Sequence, residues 1–197
     1  MTQHDDANAL ANQFLIAMPG MVDETFAGTV VYLCDHTVNG AMGLVINRPT
    51  DLDLAHVFDK VDLQLEIQPL AQQPVYFGGP VQTDRGFILH EQEAATSAYS
   101  SSLRIPGGLA MTTSKDVLEE VAVGSGPNRF LMTLGYAGWS AGQLEDEIAR
   151  NGWLNVQAPT AEMAQIIFAT PNEDKYDKVL ALLGIDISFL SSEAGHA

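Results

Sequence analysis

Short apolar runs broken by glycine, proline and asparagine dominate the first half of the chain, and stripes with helical spacing enter in the second. Phe14 to Ala17 reads as a first strand, ended by Pro19-Gly20. Gly28 to Asp35 and Ala41 to Asn47 are β-rich runs, and Asn39-Gly40 between them is a strong hairpin signal. Arg48-Pro49 is expected to stop the second run. Asp53 to Lys60 fits a short helix with Leu54, Val57 and Phe58 on one side. Val75 to Phe77 reads as a strand ending at Gly78-Gly79-Pro80, and Gly86 to His90 as another, with Pro80 to Arg85 as the hairpin loop between them. Glu91 to Ser102 is a polar Ala/Ser-rich loop, and Leu109 to Thr112 a short strand.

In the second half, Ser114 is expected to cap a helix running to Val123, which Gly124 and Gly126-Pro127 terminate. Arg129 to Leu134 is a strand. A helix from Ser140 ends at Asn151-Gly152, and Trp153 to Val156 is a further strand. Thr160 to Phe168 and Glu173 to Leu183 are helices. In the last, Tyr176, Val179, Leu180 and Leu183 follow i, i+3, i+4, i+7. Hairpins imply antiparallel pairing rather than repeated βαβ units, so the fold class is α+β. The polar residues 1–12 are expected to be mobile, 13–188 to form one domain, and 189–197 to be a mobile tail.

At 197 residues the chain can bury roughly 70% of its unfolded surface, so it needs neither disulfides nor a structural metal to fold. Charge narrows the function. Nine Lys+Arg oppose 25 Asp+Glu, a formal net charge of −16. Nucleic-acid affinity comes largely from phosphate neutralisation by Lys and Arg, and the basic residues here are scattered singly. Direct nucleic-acid binding and attraction to anionic membranes are both disfavoured. The partner expected is a protein or a small molecule, and no cofactor is indicated. The single cysteine, Cys34, sits in the apolar run GTVVYLCDH and reads as a buried thiol. The N-terminal segment, without a basic n-region and with an apolar run of only Phe14 to Met18, does not read as a signal peptide, and no stretch approaches the ~20 apolar residues of a membrane span. A cytoplasmic location follows by elimination.

Gly138-Trp139-Ser140-Ala141-Gly142 matches the G-x-S-x-G of a hydrolase nucleophile elbow. Such a serine needs a base, and the only histidine after it is His196, next to the C-terminus. His36, His56 and His90 all precede it. A capping reading explains more. Ser140 with Gln143 fits a capping box, and Glu145, Asp146 and Glu147 follow where carboxylates suit the helix dipole. An enzyme, through Ser140 or through Arg48 and His90, stays the alternative to a non-catalytic domain.

Three segments share one design, a strand leading to a glycine or proline turn. They are GAMGLVINRP (40–49), YFGGP (76–80) running to GFILH (86–90), and GYAGW (135–139). With FLIAMPGM (14–21) near the N-terminus, they resemble the YqgE/AlgH family over about residues 12 to 188. The resemblance implies a mixed, largely antiparallel, bifurcated sheet bent into a pseudo-barrel, with helices packed outside. It also implies a cytosolic bacterial protein, and some members are described as regulators of transcription, notably of alginate synthesis. It brings no catalytic residues.

The motifs themselves nominate a ligand-binding surface of Asn47, Arg48, Gly78, Gly79, Tyr136 and Trp139. Arg48 at a strand end suits capture of an anion, or an ion pair with Asp51 or Asp53. Gly78-Gly79 permits close approach of a ligand or of another backbone, or forms a tight turn. Tyr136 and Trp139 suit an aromatic wall or packing over the barrel end. His90 reads as structural and Asp84-Arg85 as a loop pair. No residue set suggests a metal or a catalytic site. The reading is a cytoplasmic, non-catalytic regulatory or protein-interaction domain that senses a small ligand.

Overall fold

A computed structural model describes residues 9–21, 23–92 and 99–185. The strands are β1 (Phe14–Ala17), β2 (Val30–Thr37), β3 (Gly40–Val45), β4 (Pro49–Asp53), β5 (Pro74–Phe77), β6 (Val81–Glu91), β7 (Ser102–Ile105), β8 (Leu109–Thr112), β9 (Phe130–Ser140) and β10 (Trp153–Val156). The helices are α1 (Leu54–Lys60), α2 (Asp116–Ala122), α3 (Gln143–Ala149), α4 (Thr160–Phe168) and α5 (Asn172–Ala181). The expected tails 1–12 and 189–197 lie mostly or wholly outside the described residues, as does half of the Glu91–Ser102 loop, residues 93–98.

One curled sheet runs β10-β1-β2-β3-β9-β6-β8-β7, every neighbour antiparallel. It forms a half-barrel with helices against it, an α+β pseudo-barrel. The fork lies at β9. Its first half pairs in parallel with β5, Tyr76 opposite Thr133. Its second half pairs with β3, from Gly43 opposite Ala137 to Gly40 opposite Ser140. β6 runs along its other edge. Gly78 sits in the crotch, donating to Leu134 O and accepting from Val45 N. A Cβ on Gly78 would lie 2.3 Å from Gly135 O, and one on Gly79 (φ +153°) would lie 2.0 Å from Tyr136 C. Only glycine fits where three strands meet this closely.

Alternate residues of β1 and β2 enter different cores, because the sheet is covered on both faces. Phe14, Ile16, Val30 and Tyr32 pack with Ile166, Ile167, Val179 and Leu180 of α4 and α5. Leu15, Val31 and Leu33 pack with Trp139, Leu144 and Trp153 beneath α3. The run VVYLC is therefore buried continuously, Cys34 included, and burial pushes its thiol well above the ordinary value. A third core joins α1 and α2 to β5, β6 and β9 through Leu54, Phe58, Ile88, Val121 and Met132. Each buried side chain of this size contributes about 1.5–3 kcal/mol.

Several boundaries differ from expectation. Arg48-Pro49 ends one strand but also starts β4, which pairs with β5. Proline is tolerated there because it opens an edge strand. Residues 80–85 are not a hairpin loop. β6 begins at Val81 and continues β9's ladder, with a register break between Val81 and Gly86. Ser102–Ile105 pairs with β8 as β7. α3 starts at Gln143, not Ser140, because the ladder to Gly40 keeps Ser140 extended and left-handed Gly142 (φ 76°) makes the turn. α2 likewise starts at Asp116 rather than directly after Ser114.

Candidate functional site

The nominated surface has partners within the scaffold. Asn47 bridges two strands' ends, accepting from Val30 N at 2.9 Å and donating to Gly28 O at 3.0 Å. The Arg48 guanidinium donates to Thr25 O, and to Ala27 O at 2.9 Å, and lies 5.9 Å over the Phe77 ring. No ion pair joins it to Asp51 or Asp53 among the described residues. Gly78 and Gly79 meet Gly135 and Tyr136 backbone to backbone. Tyr136 packs edge-on against Phe87 at 5.3 Å. Trp139 lies in a different core, 5.8 Å from Trp153, and both indoles donate to Glu147 Oε2, at 2.9 and 2.8 Å. Backbone contacts thus gather Arg48, Gly78, Gly79 and Tyr136 around the fork, but Trp139 faces elsewhere.

The hydroxyls and imidazoles are equally engaged. Ser140 N–H and O–H both donate to Gln143 Oε1, at 3.0 and 3.1 Å, but the N-cap of α3 is Gly142, so Ser140 does not form the expected capping box. His36 Nε2 meets Glu145 Oε1 at 2.6 Å, tying β2 to α3. His90 Nδ1 donates to Glu91 O at 2.9 Å, so Nε2 accepts from the Thr112 hydroxyl at 2.8 Å. That pair resembles a base and a nucleophile, but Thr112 is 0% exposed, so no substrate reaches it. Burial lowers the His90 pKa and keeps the ring neutral. Among the described residues no group of three or more His, Cys, Asp or Glu could hold a metal.

The feature that sequence reading missed is a cleft of about 610 Å³ between α1 and α2. Its floor is apolar, built from Ile88, Met132 and Leu134 of the sheet, with Val57, Val61 and Leu118 on the helical walls. Met132 packs directly over Gly86 in the floor, where a Cβ would lie 2.7 Å from Met132 Cε. The register break in β6 shapes one rim. From Val81 to Gly86, β6 advances five residues while β9 advances two, from Tyr136 to Leu134, so three residues are extruded. Gln82 takes a positive φ of 49° in this bulge. The extruded segment carries Thr83, Asp84 and Arg85 to the cleft.

The rim is cationic. Lys60 at the end of α1, Arg85 on the bulge and Lys115 before α2 all line the cleft, three of the chain's nine Lys+Arg. None of them has a carboxylate within 4 Å among the described residues. Arg85 donates to Thr113 Oγ1 at 3.2 Å and lies 5.8 Å over the Phe87 ring. His56 also lines the cleft, its ring 2.6 Å from Asp53. Asp84 is the one acidic residue in the lining. Separations of 25 and 30 residues hide this convergence in the sequence.

A smaller cavity of about 300 Å³ lies between the sheet and α4–α5. Lys175, 1% exposed, belongs to its lining. Its ammonium donates to Ile46 O at 2.7 Å and sits 4.9 Å over the Tyr76 ring. Desolvation lowers its pKa to about 8.

A family model described as AlgH-like matches residues 14–188. The chain belongs to the AlgH-like family. A UPF0301 protein of Ralstonia pickettii is 66% identical over 197 residues, covering all of both chains. Another, from Cupriavidus metallidurans, is 67% identical over 188 residues, 95% of each chain. The solution structure of the AlgH protein from Pseudomonas aeruginosa aligns over the whole of both chains with a TM-score of 0.76 at 47% identity. A crystal structure of a Corynebacterium diphtheriae protein shares the fold, with a TM-score of 0.69 at 20% identity over 92% of this chain and 90% of that one. No helix among the described residues of this AlgH-like chain is long and apolar enough to cross a membrane.

Proposed function

We propose that this AlgH-like protein is a cytoplasmic, non-catalytic regulatory domain that senses a small molecule in the α1–α2 cleft and passes its state to a protein partner. The cleft is the observation that carries the reading. A pre-formed concavity of about 610 Å³, apolar below and polar at its rim, has the size and make-up of a small-molecule site. Any effect on transcription would be indirect, since a net charge of −16 opposes a phosphate backbone. The fork residues act in this reading as the frame that holds β6 and β9 beneath the cleft.

The test is a thermal-shift screen of the full chain against a metabolite and nucleotide library. A ligand at 100 times its Kd adds about 2.7 kcal/mol, which is about 5–10 °C for a chain of this size. The expected hit saturates, is not turned over, and is lost in Leu118→Trp, which fills the cleft. Chemical turnover of the hit, or a library without any Leu118-dependent hit, would overturn the proposal.

One observation favours an enzyme as the second reading. Asp53 holds the His56 ring at 2.6 Å on the cleft rim, the relation of an orienting acid to a base. Asp53 also accepts from His56 N at 3.1 Å as the N-cap of α1, which accounts for the pair structurally. Activity in a broad hydrolase screen that His56→Ala abolishes would establish the enzyme, and its absence would remove it.

A further inference from the structure

Building on the reading of the cleft as a small-molecule site, we infer that its ligand is an amphipathic anion, with an acyl or aryl body on the Ile88–Met132–Leu134 floor and a carboxylate or phosphate head between Lys60, Arg85 and Lys115.

Charge distribution is the first support. The chain carries 25 acidic residues against nine basic ones, yet the cleft lining holds three of the nine and a single carboxylate, Asp84. Among the described residues, Arg129 is the one Lys or Arg with a carboxylate within 4 Å. These three have none within 4 Å among the described residues. Two of the flanking acids, Asp53 and Asp116, are turned to other tasks, whereas Asp59 and Asp62 lie beside Lys60 and Val61 in sequence but do not line the cleft. Asp53 is bound to His56, and Asp116 accepts from Ser100 N at 2.7 Å and Ser100 Oγ at 2.8 Å. A cation or a metal would meet like charge at this rim, whereas an anionic head would find donors without a carboxylate to displace.

Geometry is the second. Arg85 is brought to the cleft by the three-residue extrusion of β6 and positioned there by Thr113 and the Phe87 face. A guanidinium held in this way has lost much of its rotamer freedom before binding, so less remains to be lost on contact. Thr83, Thr113 and Ser114 add hydroxyls beside it. The floor argues against a compact polar anion alone. Inorganic phosphate would leave Ile88, Met132, Leu134 and Leu118 uncovered, while an apolar body would bury them.

The test holds the apolar body constant and changes the head. Dodecanoate, dodecyl phosphate, dodecanol and dodecyltrimethylammonium are titrated into the full chain below their micelle concentrations and followed by calorimetry. At least one of the two anions is expected to bind at least about tenfold more tightly than the alcohol, the scale of one charge-assisted contact. Arg85→Ala and Lys60→Ala, both at exposed positions, should each weaken that anion about tenfold and leave dodecanol unchanged. Arg85→Lys should retain part of the effect. Which anion binds distinguishes carboxylate from phosphate recognition.

Equal binding of alcohol and anion, or tighter binding of the cation, would overturn the inference while leaving a small-molecule site in place. So would silence of every dodecyl probe beside a Leu118-dependent hit in the wider library. Binding to phosphatidylglycerol vesicles without binding of the monomeric anions would also overturn it, by making the rim a membrane contact. If neither the dodecyl probes nor the library bind, both this inference and the ligand-sensing proposal fall.

Discussion

Lys175 offers a measurement in which burial and charge compete in one side chain. Its ammonium is 1% exposed, has one backbone acceptor, Ile46 O, and has no carboxylate within 4 Å among the described residues. Burial lowers its pKa from the ordinary 10.5 to about 8. A difference of one in pKa is about 1.4 kcal/mol, so holding the charged amine in the fold at neutral pH costs about 3 kcal/mol. The sign follows from proton counting. Below pH 8 both folded and unfolded chains hold the proton, and the penalty is full. Between pH 8 and 10.5 the folded chain releases it first, the unfolded chain binds more protons, and stability rises with pH. From about pH 7 to about pH 9 this amounts to about 1 kcal/mol. The assay is urea unfolding of the protein and of Lys175→Met across that range. The variant leaves Ile46 O without its donor, a loss of about 1–3 kcal/mol that does not depend on pH. Groups common to both proteins, such as Cys34, cancel in the difference. The stability of the parent relative to the variant should therefore climb by about 1 kcal/mol with pH. Parallel curves would refute the reasoning and mean that the amine titrates as it would in water.

Gly79→Ala should be the most damaging small substitution, costing at least about 3 kcal/mol through a Cβ 2.0 Å from Tyr136 C; a urea midpoint within error of the parent would refute the close-packed fork. Glu147→Ala removes the shared acceptor of two buried indoles and should cost about 2–4 kcal/mol, with an altered tryptophan emission spectrum; unchanged stability would mean that the indoles have other partners. Arg48→Ala should expose the segment 23–29 to limited proteolysis and cost about 1–2 kcal/mol, and Arg48→Lys should rescue little, because one ammonium does not span Thr25 O and Ala27 O as a guanidinium does. A proteolysis pattern like the parent's would sink that assignment.

What was legible in the sequence were the elements whose cause is local. The β2–β3 hairpin announces itself by Asn39-Gly40, although the two-residue loop is Val38-Asn39 and Gly40 already belongs to β3. α5 announces itself by the stripe through Val179 and Leu180, both buried. β4 did not, because Pro49–Asp53 is polar and half-exposed and becomes a strand through its pairing with β5, about 25 residues away. The continuation of β9 to Ser140 was hidden for a related reason. A backbone ladder with β3 and β6 holds residues 136–140 in the strand beyond Gly135, whose φ of 75° is left-handed, and glycine at 135 and 138 lowers the segment's own preference for a strand. Lys175, in the middle of an otherwise amphipathic helix, reads as surface and is buried by the sheet it meets.

The candidate site inverts the usual relation between conspicuous motif and function. Gly78-Gly79, Gly135 and Arg48-Pro49 stand out in the sequence because a forked sheet imposes severe local demands, namely no Cβ at the crotch and a guanidinium to collect loop carbonyls. Those demands restrict residue type strongly and so produce motifs. The cleft makes weaker demands at each position. An apolar floor accepts several side chains, and a cationic rim accepts Lys or Arg at scattered points on α1, β6 and the approach to α2. No short window records such a site. Only the fold shows that Lys60, Arg85 and Lys115 share one cleft, and only the scarcity of basic residues in a chain of charge −16 makes their meeting informative. It follows that substitutions at the motif glycines should act mainly through stability, and substitutions at the three cations mainly through ligand affinity. Separating those two classes of effect by experiment is what assigns scaffold and site in this protein.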